Sequence, residues 1–207
     1  MIEAPASKSF TAPRASPQKN RISPLVWMNL VCLDAPLVAV SWQWLFARSF
    51  RIEISSGTTA ALFLTAWVIY LADRFGDAGS LGGASAVSLR QQFCLRHRHA
   101  WRWLIAIVVA IDVAMVATQL DWPAVGVGTA VGALAFVYLL VNRRRAGVWR
   151  SLPLKEVSIG FIFAAGVMVG LVREFTTTML PAWLLFGSLC ALNCISIALW
   201  ERELDLK

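Results

Sequence analysis

The chain reads as an all-α, polytopic membrane helix bundle, on three observations. Of its 207 residues, 58% are apolar and 15% charged, against roughly a quarter charged in an ordinary soluble domain. Its mean hydropathy is +0.64, more apolar surface than a soluble globule of this size can hide. Its apolar residues fall in six continuous runs without strand-like alternation, which favours helices over a membrane barrel. The four cysteines are few, and three lie inside apolar runs, so no disulfide framework is expected.

Residues 1–23 are polar, with three prolines, four basic residues and no apolar stretch. They lack the apolar region of a signal peptide and are expected to form a disordered basic tail. The transmembrane domain is expected over 24–207, with runs at about 25–47, 58–75, 101–119, 124–142, 157–172 and 182–200. Each approaches the ~20 residues that span a bilayer. The fifth is short and needs its flanks to complete it.

Loop charge sets the expected orientation. Four basic residues lie in the tail, five in the second loop, five in the fourth and two at the C-terminus, sixteen of the 19. Only Arg48, Arg51 and Arg173 lie on the other side. The positive-inside rule then puts both termini in the cytoplasm. Trp101, Trp103, Trp122, Trp149, Trp183 and Trp200 sit near span ends and read as interfacial anchors rather than a stacking platform. The net charge of +7 is therefore topology, and no nucleic-acid partner is expected. Gly128-x3-Gly132 and Gly166-x3-Gly170 read as close-packing faces.

The 12 acidic residues carry the chemical signal. The second run ends in Asp73-Arg74-Phe75-Gly76-Asp77, the sixth in Glu201-Arg202-Glu203-Leu204-Asp205. Both read acid-Arg-x-x-acid at a helix end on the same expected side. Residues four apart share a helix face, where like charges repel by a few tenths of a kcal/mol. A helix C-terminus further disfavours anions. A divalent cation relieves both conflicts, and Mg²⁺ suits paired carboxylates that leave room for substrate phosphates. Asp73, Asp77, Glu201 and Asp205 are the expected metal and catalytic acids. Arginines around them would take the remaining charge of a diphosphate, with an isoprenoid tail among the helices. Metal ions would stabilise the leaving diphosphate of an allylic donor, and a dry chamber would protect the carbocation. The plainer reading is two pairs of solvated acids neutralised by Arg74 and Arg202.

These residues resemble the UbiA-type family of membrane prenyltransferases. Ala72-Asp73-Arg74-Phe75-Gly76-Asp77 is similar to the second half of its first aspartate motif, and Glu201 to Lys207 to its second acidic motif. Tyr138-Leu-Leu-Val-Asn142-Arg143 resembles its Tyr-x-x-x-Lys-Arg segment. Leu152-Pro153 with Gly160-Phe161 and Gly166 resembles the start of its fifth helix, and Leu33-Asp34-Ala35-Pro36 the kinked opening of its first. The resemblance implies Mg²⁺-dependent transfer of a prenyl group from an allylic (poly)prenyl diphosphate to a small-molecule acceptor. It implies diphosphate binding by Arg90 and Arg143, with Tyr138, Asn142 and Asn193 also lining the substrate site. The expected location is the bacterial cytoplasmic (inner) membrane, N-terminus inside.

The chain also departs from the family pattern. Ile69 and Tyr70 replace the leading Asn-Asp of the first motif, Asn142 replaces the lysine, and Cys194 stands where a further acid is common. The six runs correspond to the N-terminal two-thirds of the family's helical ring. The expectation is a fragment or a shortened gene, with an unclosed flank that a homo-oligomer would cover. An alternative is a non-catalytic, degenerate membrane protein that binds an isoprenoid lipid or a partner.

Other polar residues carry separate expectations. Asp112, midway along the third run, should face the interior or be protonated; a transport role for it and Asp34 finds no broken-helix pair or inverted repeat of the usual kind in the sequence. His97 and His99, two apart, share no helix face and do not read as a zinc site. Cys190 and Cys194 read as packing.

Overall fold

The computed structural model describes residues 28–80, 96–144 and 154–205. The expected tail lies outside them. The described residues are helical with no strand: α1 (Asp34–Phe50), α2 (Ser56–Ser80), α3 (Arg98–Gln119), α4 (Trp122–Arg144), α5 (Leu154–Met168) and α6 (Leu180–Asp205). Short 3-10 turns at Val169–Glu174 and Thr177–Met179 join α5 to α6. Each of the six apolar runs thus corresponds to one long helix.

Four helical stretches are long and apolar enough to cross a membrane: Arg98–Gln119, Trp122–Val141, Leu154–Glu174 and Thr177–Trp200. The fifth run reaches this length by its 3-10 extension, which lengthens a 15-residue helix to 21 residues. The first run breaks instead of spanning 25–47 as one helix. Cys32 adopts φ 60°, left-handed and unusual without glycine, and α1 begins two residues later with only 17 residues. The α2 helix has 25 residues, but Asp73, Arg74 and Asp77 dilute its apolar run.

Local chemistry sets the helix ends. Asp34 places an acid in the first turn of α1, where the helix dipole favours it, and Pro36 needs no intrahelical donor there. Arg51 closes α1 in the left-handed region (φ 56°, ψ 41°), its N–H bonded to the Ala47 carbonyl. The Ser55 hydroxyl caps α2 by accepting the Thr58 N–H at 3.0 Å. Asp121 caps α4 by accepting the Ala124 N–H at 3.2 Å, and it also lies 3.5 Å from Arg173 across the bundle.

The main core joins α1, α5 and α6. Phe186, almost fully buried, meets Trp42 at 4.3 Å between ring centroids, Phe46 at 5.8 Å and Phe163 at 6.2 Å. Ala39, Ala164, Val167 and Leu171 fill the space around these rings. A second cluster packs Leu71 of α2 and Trp101 of α3 onto Cys32. Trp101 is therefore a core residue, and Trp183 packs on Phe161. Trp103, Trp122 and Trp200 are exposed as interfacial anchors should be. The outward faces of α3, α4 and α6 carry Ile107, Val113, Leu134, Phe136, Leu185 and Leu192 exposed, an apolar surface suited to lipid.

Helix direction follows from the contacts. The start of α1 meets the C-terminal half of α2 at Asp34 and Tyr70. The end of α1 meets the end of α5 through Phe46, Val167 and Met168, so α1 and α5 run the same way. The α6 helix runs against α5, with Phe161 beside Gly187 and Gly160 beside Ala191. The C-termini of α2 and α6, which carry the two acidic motifs, therefore point to the same end of the bundle.

Only part of the expected glycine packing forms. A Cβ added at Gly128 would meet the Val169 side chain, and one at Gly170 would meet Thr58 and Gln43, but one at Gly132 or Gly166 would meet nothing within 4 Å among the described residues. The tightest helix contact is Gly160 against the Ala191 backbone.

Candidate functional site

At the acid-bearing end, three side chains from two helices form a polar chain. Arg74 donates from Nη2 to the Tyr70 hydroxyl at 2.9 Å. These residues are four apart, so they share a face of α2, and the guanidinium also sits 5.1 Å from the Tyr70 ring centroid. The Tyr70 hydroxyl reaches Asp34 Oδ2 on α1 at 3.5 Å, and Asn29 donates to the same oxygen at 3.4 Å. Both distances are long for hydrogen bonds, so the contacts to Asp34 are weak. Asp34 Oδ1 is buried without a hydrogen-bond partner among the described residues. The Trp67 indole donates to the Val31 carbonyl at 2.9 Å and ties the turn before α1 to α2.

Asp73 stands half-buried beside this chain, one residue before Arg74. Arg102 of α3 is exposed and places its guanidinium 5.9 Å from the Phe75 ring centroid. Carboxylate, phenol and guanidinium groups thus meet at one helix end. The cations can accept an anionic group there, and the carboxylates can accept a cation or a donor.

The structure places the sequence-derived residues unevenly. Asp73, next to Arg74 in the chain, is half-buried beside the Tyr70, Arg74 and Asp34 group. Asp77 lies one turn further along α2, Asn142 and Arg143 in the last turn of α4, and Glu201 and Asp205 in the last turns of α6; their side chains lie outside the described residues. Arg90 and Trp149 also lie outside them. Tyr138 is half-buried on α4, whereas Asn193 is exposed on α6. Among the described residues, no three His, Cys, Asp or Glu side chains converge as a metal group would require.

Sequence reasoning missed the contribution of Asn29 and the bridging position of Tyr70. Tyr70 had a signal: it stands one helical turn before Arg74, on the same face. Asn29 had none, because the break after it is a tertiary feature.

Two further polar features lie away from this end. Thr65 of α2 reaches both carboxyl oxygens of Asp112 on α3, at 2.9 and 3.0 Å. Gln43 of α1 is 1% exposed, and neither of its amide atoms has a partner among the described residues. It packs against Gly170, where an added Cβ would lie 2.7 Å from Gln43 Nε2.

No family model matches this chain, and neither a curated protein nor a solved structure matches it.

Proposed function

We propose that the chain is an intramembrane prenyltransferase of the UbiA type, holding an allylic prenyl diphosphate at the acid-bearing end of its bundle. One observation carries the reading: the two acid-Arg-x-x-acid segments end α2 and α6 at the same end of the bundle. In this reading all six helices cross the bilayer, and the basic loops put that end in the cytoplasm. The helices form part of a ring around a prenyl chain, and a second copy covers its open flank.

The donor chemistry at this end fits Mg²⁺, since its acids offer hard oxygen ligands. Asp73, Asp77, Glu201 and Asp205 would hold the ion, which when bound would neutralise charge on the departing diphosphate. The protein's own groups do the rest. Arg90 and Arg143 bind the diphosphate, and Tyr138, Asn142 and Asn193 line the path to it. Tyr70 orients Arg74, and the apolar bundle excludes water from the reacting carbon.

A second reading is favoured by the substitutions in the first motif. Tyr70 replaces an acid there, and its hydroxyl is engaged by Arg74. With fewer ligands, the same bundle would bind an isoprenoid lipid or a partner without turning it over.

The test uses the full chain in lipid nanodiscs with farnesyl diphosphate as the probe. Calorimetric binding should require Mg²⁺ and be lost in Asp73→Ala. Binding that persists without Mg²⁺, or is unchanged in Asp73→Ala, refutes the site. Release of diphosphate in the presence of candidate acceptors supports the enzyme; Mg²⁺-dependent binding without release supports the non-catalytic reading.

A further inference from the structure

We propose that Asp112 is a proton-binding site inside the bilayer, a carboxyl that stays protonated at neutral pH and pairs reciprocally with Thr65. The helix that carries it is long and apolar enough to cross a membrane, and Asp112 lies well within it. The depth makes a bare carboxylate costly.

The geometry points to the neutral form. Both carboxyl oxygens lie within hydrogen-bond distance of the same Thr65 Oγ1, at 2.9 and 3.0 Å. A threonine hydroxyl has one proton, so to a carboxylate it could give only a single bond shared between the two oxygens. A protonated carboxyl forms two bonds in its place. Its O–H donates to Thr65 Oγ1, and the Thr65 O–H donates back to the carbonyl oxygen. Both groups are then satisfied without an ion.

Among the described residues, the surrounding charges offer no alternative. The stretch of α2 from Ser56 to Tyr70 has no charged residue, and α4 has none before Arg143. On α3 itself the cations are Arg98 and Arg102, ten or more residues away. Arg51, Glu53, Asp121, Arg173 and Glu174 lie beyond the opposite helix ends, and Arg173 faces Asp121 at 3.5 Å. Val109, Ile111 and Val113, beside Asp112 on α3, are exposed, so the carboxyl borders the lipid-facing side and an apolar reagent can approach it from the membrane.

The site then has a defined reactivity. An apolar carbodiimide accepts the carboxyl: the acid oxygen bonds to the central carbon, the acid proton moves to a nitrogen, and one C=N π bond is consumed. The acyl group then migrates from oxygen to nitrogen, giving an N-acylurea with no leaving group.

The experiment uses the full chain in lipid nanodiscs at neutral pH. Infrared spectroscopy should show a protonated-carboxyl C=O stretch that is lost in Asp112→Asn and shifts in Thr65→Val. Dicyclohexylcarbodiimide should label Asp112, as mapped by peptide mass spectrometry, and the label should be lost in Asp112→Asn. If the wild-type spectrum instead shows a carboxylate band at this position and no protonated-acid band that depends on Asp112, the proposal is overturned. Thr65→Val tests the pairing separately, because an unshifted band means that Thr65 does not bond the acid.

Discussion

Gly160→Ala tests the packing that aligns α5 with α6. A Cβ at Gly160 would lie 2.5 Å from the Ala191 nitrogen, 2.7 Å from its Cα and 3.0 Å from its Cβ. Non-bonded carbon atoms settle at about 3.5–4.0 Å, so the helices would have to separate by about 1 Å. The obstructing atoms are mostly backbone, and no flexible side chain can move aside. Overpacking of this kind costs about 1–3 kcal/mol. Alanine also gains up to about 1 kcal/mol in helix propensity over glycine, which masks part of the loss. Gly166→Ala on the same helix supplies the control, because a Cβ there meets nothing within 4 Å. The propensity gain is common to both variants, so their difference isolates the clash at about 1–3 kcal/mol. Reversible unfolding in mixed micelles, followed by tryptophan fluorescence, measures that difference. Equal stability of the two variants would refute the close approach of α5 to α6 at this position.

Two further predictions concern polar groups. Gln43→Leu removes two buried amide atoms that have no partner; such a group costs about 1–3 kcal/mol, so stability should hold or rise in the same assay, and a loss would reveal a partner for the amide. Tyr70→Phe removes the hydroxyl that accepts from Arg74 at 2.9 Å. Hydrogen bonds to charged groups contribute about 1.5–3 kcal/mol, so unfolding should come earlier, and an unchanged midpoint would show that water replaces the hydroxyl at no cost.

The architecture was legible at the level of runs and parity. Six apolar stretches became six helices because continuous hydropathy reports where a backbone must satisfy its own hydrogen bonds. The shared end of the two acid motifs was legible too. A chain that crosses a bilayer run by run alternates in direction, so segments closing even-numbered runs point the same way. The short fifth run needed its flank, and the 3-10 extension through Glu174 supplies it.

What the sequence alone could not determine was rotation and close approach. A helix facing lipid on one side and protein on the other is apolar on both, so hydropathy does not say which stripe faces inward. That is why a Cβ at Gly132 or Gly166, chosen for packing by spacing, would meet nothing within 4 Å among the described residues, while Gly160, outside that spacing, sits against a neighbouring backbone. The left-handed turn at Cys32 leaves no compositional mark inside an apolar run, although Leu33-Asp34-Ala35-Pro36 just after it was expected to form a kinked opening. The pairs Tyr70–Asp34 and Thr65–Asp112 join residues 36 and 47 apart. Only the packing of α2 against its neighbours on both sides decides that these groups meet.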